Sequence, residues 1–448
     1  MKETETARAA EQKSSEAVSG WTRGWVLGLC TATWALSYLD KNVITILIDP
    51  IKKEFHLTDT VMGLIVGFGF VLIYAACSFP IGRYADRKGR VKVITAGIIF
   101  WSLMTAGAGL ARSTFQLVLS RIFLGVGEAC GAAPSQALIS EYFPKDKRPR
   151  AQSIYAMSPY IGIYLGYLIG GVAAFYYSWR IAFFFAGIPG IIVGILIFTT
   201  VKEPRFGFSE AGKVDTKFYS LGNTMRYFLS NKTLLLCVIG YVLTTFTSTT
   251  LSAWLPSFLR RVHHLNSAQI GLWAGSIKGF FGIGGSLLGG FTVVAVSKRD
   301  EKWRILLPGI VTLLGAPALC LFFLAGTMQM SLFGLALATV LVAFHVGPLF
   351  AVIQTVVKVR MRAFAASILF ICVNLVSGGG APLAIGALND ALKPRFGDMA
   401  IRYSMLIGVG TIIIGGCCLM LASIYLIRDT KKAAAESPEG ILAGGGGH

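Results

Sequence analysis

Charged residues are scarce in this chain: 14% of 448 residues, against 54% hydrophobic ones. A soluble domain carries about a quarter charged residues. The shortfall excludes a soluble multi-domain enzyme, a disordered chain and a secreted disulfide scaffold. Acids are scarcer than bases, 22 against 41, for a net charge of +19. The eight cysteines (Cys30, Cys77, Cys130, Cys237, Cys320, Cys372, Cys417 and Cys418) all lie in apolar runs. Buried inert thiols are expected there, not a disulfide framework or a zinc site. Residues 1–22 mix Glu, Lys, Ser and Ala with no apolar centre, so no secretory signal is expected. There is no Gly-x-x-x-x-Gly-Lys-Ser/Thr loop, no His/Cys/Glu cluster at metal-ligand spacing, and no nucleophile elbow. The expectation is a non-enzyme with no bound cofactor and no metal.

What the chain does have is long apolar runs. A membrane-crossing helix needs roughly 20 such residues. Runs fall at about 24–49, 59–83, 91–111, 114–140, 151–175 and 180–201, then at 232–259, 267–297, 304–326, 330–357, 364–390 and 401–427. These twelve runs (spans one to twelve) predict an all-α membrane protein. The polar stretch 202–231 divides them six and six, the pattern of two repeated halves. The expected organisation is a tail 1–23, a six-helix bundle 24–201, a linker 202–231, a second bundle 232–428 and a tail 429–448. A faint internal echo agrees: Arg150-Ala151 opens span five and Arg362-Ala363 opens span eleven, and both spans then become rich in glycine.

The basic excess has a direction. With an even number of spans, both tails share a side with alternate loops. That side holds 29 Lys and Arg, the other 9. Lys and Arg favour the cytoplasm. Both termini are therefore expected there, in an inner (plasma) membrane, and no nucleic-acid partner is called for. The three bases left over are Lys41, Arg121 and Lys278, within spans.

Three motifs stand out. The second loop reads Gly82-Arg83-Tyr84-Ala85-Asp86-Arg87-Lys88-Gly89-Arg90. Its glycines permit close approach or a tight turn, and its bases hold the loop at the cytoplasmic face. Span four runs from Arg121 through Gly125, Gly127, Glu128 and Gly131 to Pro134. Arg121 and Glu128 are two turns apart on about one helix face. Span five carries Gly162, Gly166 and Gly170 at four-residue spacing, a packing stripe.

These residues resemble the major facilitator superfamily of transporters. The loop 82–90 is similar to the family's Gly-x-x-x-Asp-Arg-x-Gly-Arg signature, and Arg121 to Pro134 to its fourth-helix motif. A narrower resemblance is to the Spinster subfamily. It is carried by Ser37-Tyr38-Leu39-Asp40-Lys41, Gly125 to Ala129, Trp179-Arg180 and Lys202-Glu203-Pro204-Arg205. Family members more often show Asp-Arg where this chain has Asp40-Lys41, which keeps the charge but loses the planar fork. The eighth-span counterpart of the loop signature is degenerate. The resemblance implies twelve helices in two six-helix bundles about a central cavity that opens alternately to either side. It implies that spans one, four, seven and ten line that cavity. It assigns gating to Gly82, Asp86, Arg87, Gly89 and Arg90. Eukaryotic Spinster proteins carry sphingosine-1-phosphate or lysophospholipids, and bacterial ones look proton-linked.

Ionisable groups inside a bilayer are costly and point to function. Here they are Asp40, Lys41, Arg121, Glu128, Lys278 and His345. Asp40 and Glu128 are expected to carry the coupling proton, the sole coupling ion, with Arg121 biasing both. Lys41, Arg121, Glu128, Lys278 and His345 are expected to meet substrate, together with Thr245 and Phe246 from the hydroxyl-rich run 244–250 of span seven. A permanent salt-bridge network is the competing reading for the acids and bases. A backbone-bonded packing role competes for His345, and snorkelling for Lys278. The function expected is proton-coupled alternating-access transport of an amphiphilic anion, lysolipid-like or sphingoid-phosphate-like, by a monomer in the lipid bilayer. A multidrug/proton antiporter and an uncoupled organic-anion facilitator are the alternatives.

Overall fold

The computed structural model describes residues 19–144, 147–203, 228–357 and 368–435. Most of the expected linker, both outer tails and the Arg362-Ala363 echo lie outside the described residues. Those described are helical, with no strand among them.

Among the described residues, ten segments are long and apolar enough to cross a membrane. The helix Gly20–Ile46 is not among the ten; it has the length but carries Asp40, Lys41 and Asn42. The last of the ten, Ile368–Lys431, is 64 residues long, far more than one crossing needs. It breaks at Gly397–Met399, between the helices Ala381–Phe396 and Ile407–Ala435. Twelve membrane-length segments result. Six helices begin at a side-chain cap, from Ser19, Thr58, Ser113, Ser178, Asn231 and Thr327. Each such cap stabilises by about 1 kcal/mol. Large apolar side chains such as Phe79, Phe115, Phe198 and Phe291 stand outward and exposed, as a lipid-facing surface requires.

The chain resolves into two compact units. The first comprises Met1–Leu57, Gly69–Asp215 and Asn266–Gly275; the second comprises Thr58–Phe68, Thr216–Leu265 and Ser276–His448. In the first, Val26 and Cys30 of span one pack with Ile94, Ile139, Tyr155 and Ile197 of spans three to six. In the second, Leu234 and Val238 of span seven pack with Val352, Ile353, Leu369 and Leu419 of spans ten to twelve.

The units do not follow the order of the chain. The N-terminal part of span two, Asp59–Val66, belongs to the second unit, and Gly63 meets the backbone of Pro382 with no room for a Cβ. The N-terminal part of span eight belongs to the first unit, where Gly271 packs on the Tyr167 carbonyl. Both spans are irregular where they change unit. Span two breaks at Gly67, and span eight forms the π-helical turn Ile277–Phe281 just after Gly275.

Other helices break at ionisable residues. Span four is interrupted between Thr114–Glu128 and Ala132–Tyr142, so Glu128 closes a helix. Span ten is interrupted between Met328–Ala343 and Val346–Thr355, with His345 in the gap.

Candidate functional site

In span one, Ser37 and Lys41 are one helical turn apart on one face. Lys41 Nζ donates to Ser37 Oγ at 3.0 Å, and Ser37 Oγ donates to Glu128 Oε2 at 2.6 Å. Lys41 Nζ also pairs with Glu128 Oε2 directly, at 2.7 Å. The Glu128 side chain is fully buried, whereas that of Lys41 is 28% exposed. Three rings surround the ammonium: Tyr38 and Phe70 at 4.9 Å and Tyr74 at 5.4 Å to their centroids. Rings and carboxylate together keep Lys41 charged where water is scarce.

Asp40 and Arg121 complete the cluster. Both are buried, at 1% and 2% exposure. The polar neighbours of Asp40 are Glu128, Arg121, Thr105 and Lys41; those of Arg121 are Glu128 and Asp40. Asp40 Oδ1, Glu128 Oε1, and Arg121 Nε and Nη1 have no hydrogen-bond partner among the described residues. Two acids and two bases thus share one buried site with unused polar valences. Such a site can accept a proton or an ion with little rearrangement.

Glycine makes this approach possible. A Cβ on Gly162 would lie 2.1 Å from the Ala35 carbonyl oxygen, and one on Gly166 would lie 2.7 Å from that of Leu39. The glycine stripe of span five therefore seats span one at the level of Asp40. Gly127 likewise seats span four on Trp101 of span three, and Gly125 seats it on Phe70 and Tyr74 of span two.

The second unit holds the other expected residues. His345 Nε2 lies 2.9 Å from Thr244 Oγ1. That hydroxyl already bonds the Gly240 carbonyl at 2.9 Å. Which of the two groups donates follows from the imidazole tautomer. Tyr241 presents its ring to the imidazole at 5.8 Å. Lys278 is 93% buried in the π turn of span eight, being 7% exposed, and has no partner among the described residues. Thr245, Ser248 and Thr249 form the partly exposed face of span seven. Phe246 does not share that face: it is buried, because it falls a helical step away on the packed side. Thr247 is tied up with the Gly408 carbonyl and Thr411.

At the loop expected to gate, Gly89 has φ +105°, which a residue with a Cβ rarely adopts. Glu203 accepts from the backbone N–H of Arg90 and of Val91, both at 2.7 Å, and so caps span three. Arg90 pairs with Glu141. Gly82 faces open space and Arg87 is exposed. The Asp86 side chain lies outside the described ones.

Sequence reasoning missed two features. The ring cage of Phe70 and Tyr74 lies inside an apolar run, where only their four-residue spacing hints at a shared face. The other is a polar cluster in the second unit. Arg261 grips the buried Asp59 with two nitrogens, at 2.5 and 3.0 Å. Asp390 accepts from the backbone N–H of Asp59 and Thr60 and from the Thr60 hydroxyl. No local pattern links residues some two hundred or more positions apart.

Multi-pass helices with paired charges between broken, glycine-packed segments are an architecture that secondary transporters use. Residues 30–382 match the model of the Major Facilitator Superfamily, and the chain belongs to that family. It is 28% identical to an MFS-type efflux pump of Mycolicibacterium smegmatis over 421 residues, covering 93% of this chain and 96% of that one. It is 23% identical to the sphingosine-1-phosphate transporter SPNS2 of Danio rerio, covering 90% and 84%. Among solved structures it is similar to a bacterial homolog of the human lysosomal transporter Spinster in an inward-facing, unoccupied conformation. That match has a TM-score of 0.83 and 26% identity, and covers 92% of this chain and 99% of that one.

Proposed function

We propose that the protein is a proton-coupled secondary transporter of an amphiphilic anion, working by alternating access. The observation that carries this reading is the buried quartet of Asp40, Lys41, Arg121 and Glu128. With both acids ionised, the quartet has no net charge. Protonating one acid leaves a positive surplus, which an arriving anionic head group neutralises. Proton and anion thus favour one another's binding, which is coupling in the thermodynamic sense. Asp40 and Glu128 carry the proton, and Arg121 biases both while staying charged. Lys41 exchanges Glu128 for the substrate anion. Lys278, His345 and Thr245 are further contact points, and the apolar walls take the tail. The loop residues Gly82, Asp86, Arg87, Gly89 and Arg90 gate the cytoplasmic side. The protein works as a monomer in the plasma membrane with both termini cytoplasmic, and needs no cofactor besides the proton. The Spinster relatives, one of them named as a sphingosine-1-phosphate transporter, support a lysolipid-like or sphingoid-phosphate-like cargo.

The similarity to an efflux pump favours a second reading, multidrug/proton antiport. One experiment separates them. Reconstitute the protein in liposomes, impose a pH gradient, and offer lysophosphatidic acid, sphingosine-1-phosphate, simple organic anions and a lipophilic cation. Anion movement that follows the gradient and loses its coupling in Glu128→Gln supports the proposal. Cation movement alone supports antiport. Anion movement indifferent to the gradient leaves an uncoupled facilitator.

A further inference from the structure

The intramembrane charges of the first unit, Asp40, Lys41, Arg121 and Glu128, are clustered. Lys278 in the second unit is not. Its side chain is buried within an apolar span, with neither a carboxylate nor a hydrogen-bond acceptor for its ammonium among the described residues. A lysine whose side chain is largely buried without a counter-charge costs free energy that a bound anion can offset.

Its placement is specific. Span eight is α-helical over Ser267–Ser276 and again over Gly282–Ser297, with the π turn Ile277–Phe281 between them. A π turn holds one residue more than an α turn. Removing that residue rotates one side of the helix against the other by about 100°. Both sides are pinned. On the outer side, Gly271 and Gly275 pack against Tyr167 and Tyr164. On the inner side, Gly285 packs on Val340, and Gly289 on the carbonyl of Phe344. Each half of the span is therefore seated by its glycines within its own unit. The turn sends Phe280 and Phe281 to the exposed surface and Lys278 to the interior.

We propose that the π turn Ile277–Phe281 is an anion-recognition element: its extra residue turns Lys278 inward to receive the phosphate-type head group of a single-chain amphiphile. This deepens the transport reading and rests on it for the identity of the ligand as cargo. The ammonium supplies charge-assisted hydrogen bonds to the anion, and the anion supplies the counter-charge that the folded chain withholds. The turn is one place where a backbone irregularity and a buried unpaired cation coincide, as at other helix breaks that bind ions in membrane proteins.

The test is an equilibrium titration of the full chain in nanodiscs, with no gradient, so that failure of proton coupling leaves it unaffected. Three probes are used: dodecyl phosphate, inorganic phosphate and uncharged dodecyl maltoside. Wild-type protein is expected to bind dodecyl phosphate at least tenfold more tightly than the other two. Lys278→Met should weaken dodecyl phosphate about ten- to hundredfold and leave dodecyl maltoside unchanged, and Lys278→Arg should retain most of the affinity. Deletion of Phe280, which closes the π turn to an α turn, should lose the affinity with Lys278 still present. Unchanged binding in Lys278→Met overturns the site, and unchanged binding in the deletion overturns the role of the extra residue. Inorganic phosphate binding as tightly as dodecyl phosphate overturns the amphiphile and assigns a free anion instead. If the deletion variant does not fold, the Met and Arg pair decides the site alone.

Discussion

Lys41 Nζ and Glu128 Oε2 stand 2.7 Å apart, and Ser37 Oγ bonds both groups. One partner is fully buried and the other is partly open. The pair therefore has a closed end and an accessible end, and any exchange of partner starts at Lys41.

Lys41→Met leaves Glu128 buried without its cation. The cost should be about 3 kcal/mol, read as a lowered midpoint in thermal unfolding, since breaking one side of a buried pair strands the other charge. The double variant Lys41→Met with Glu128→Gln should recover most of that loss. An additive double variant would show that the pair does not couple.

The seat of span one on span five is testable by volume. Gly162→Val places carbons where the Ala35 carbonyl stands. It should destabilise the first unit by about 3 kcal/mol or prevent folding. Gly107→Ala, where nothing lies within 4 Å, is the matched control and should leave the midpoint within about 0.5 kcal/mol of wild type.

Thr244→Val removes the hydrogen-bond partner of His345 Nε2 while keeping the shape of the side chain. A buried ring nitrogen then goes unpaired, at about 1–2 kcal/mol. Thr244→Ser should be close to wild type in the same melting assay. An equal loss in both variants would point to packing, not the hydrogen bond.

Outside the membrane spans, Arg180 and Trp179 bond Glu54 and hold its carboxyl below the usual carboxylate range. A lowered folded value means that the contribution is present above the unfolded value, about pH 4.3, and is lost as pH falls through the folded one. Glu54 is 42% exposed, so solvent screening limits the effect to about 0.5 kcal/mol. Glu54→Gln should melt slightly below wild type at pH 7. The gap should close below about pH 4 and shrink in high salt.

Asp59→Asn strips Arg261 of its buried carboxylate. A loss of about 3 kcal/mol is expected from thermal melting. Asp390→Ala should cost about 1 kcal/mol, because Thr58 still caps the same helix from its own side chain.

Much of the architecture was legible in the sequence. Run lengths gave the membrane-length segments, and the motif resemblance gave the family that the Major Facilitator match shows. The spacing of Gly162, Gly166 and Gly170 announced a packing stripe, but not that span one would fill it. The charges of Asp40, Lys41, Arg121 and Glu128 were visible because charge is rare in such runs. Their wiring was not, since hydrogen bonds between spans have no period in the chain. Phe246 illustrates the limit: composition drew attention to the run 244–250, and only helix phase against neighbouring spans decided that Phe246 packs while Thr245 stays partly open.

The sequence alone determined that this chain lives in a membrane, crosses it repeatedly and keeps few charges there, because burying apolar residues and excluding charge are properties of composition and run length. The tertiary structure decided which charges meet, which stay unpaired, and where helices break. Those outcomes depend on close approach between distant segments, set by glycines and backbone carbonyls. Lys41 and Lys278 are the same residue type in similar apolar runs. One sits among three rings and a carboxylate, the other alone in a π turn, and that difference exists only once the spans have packed.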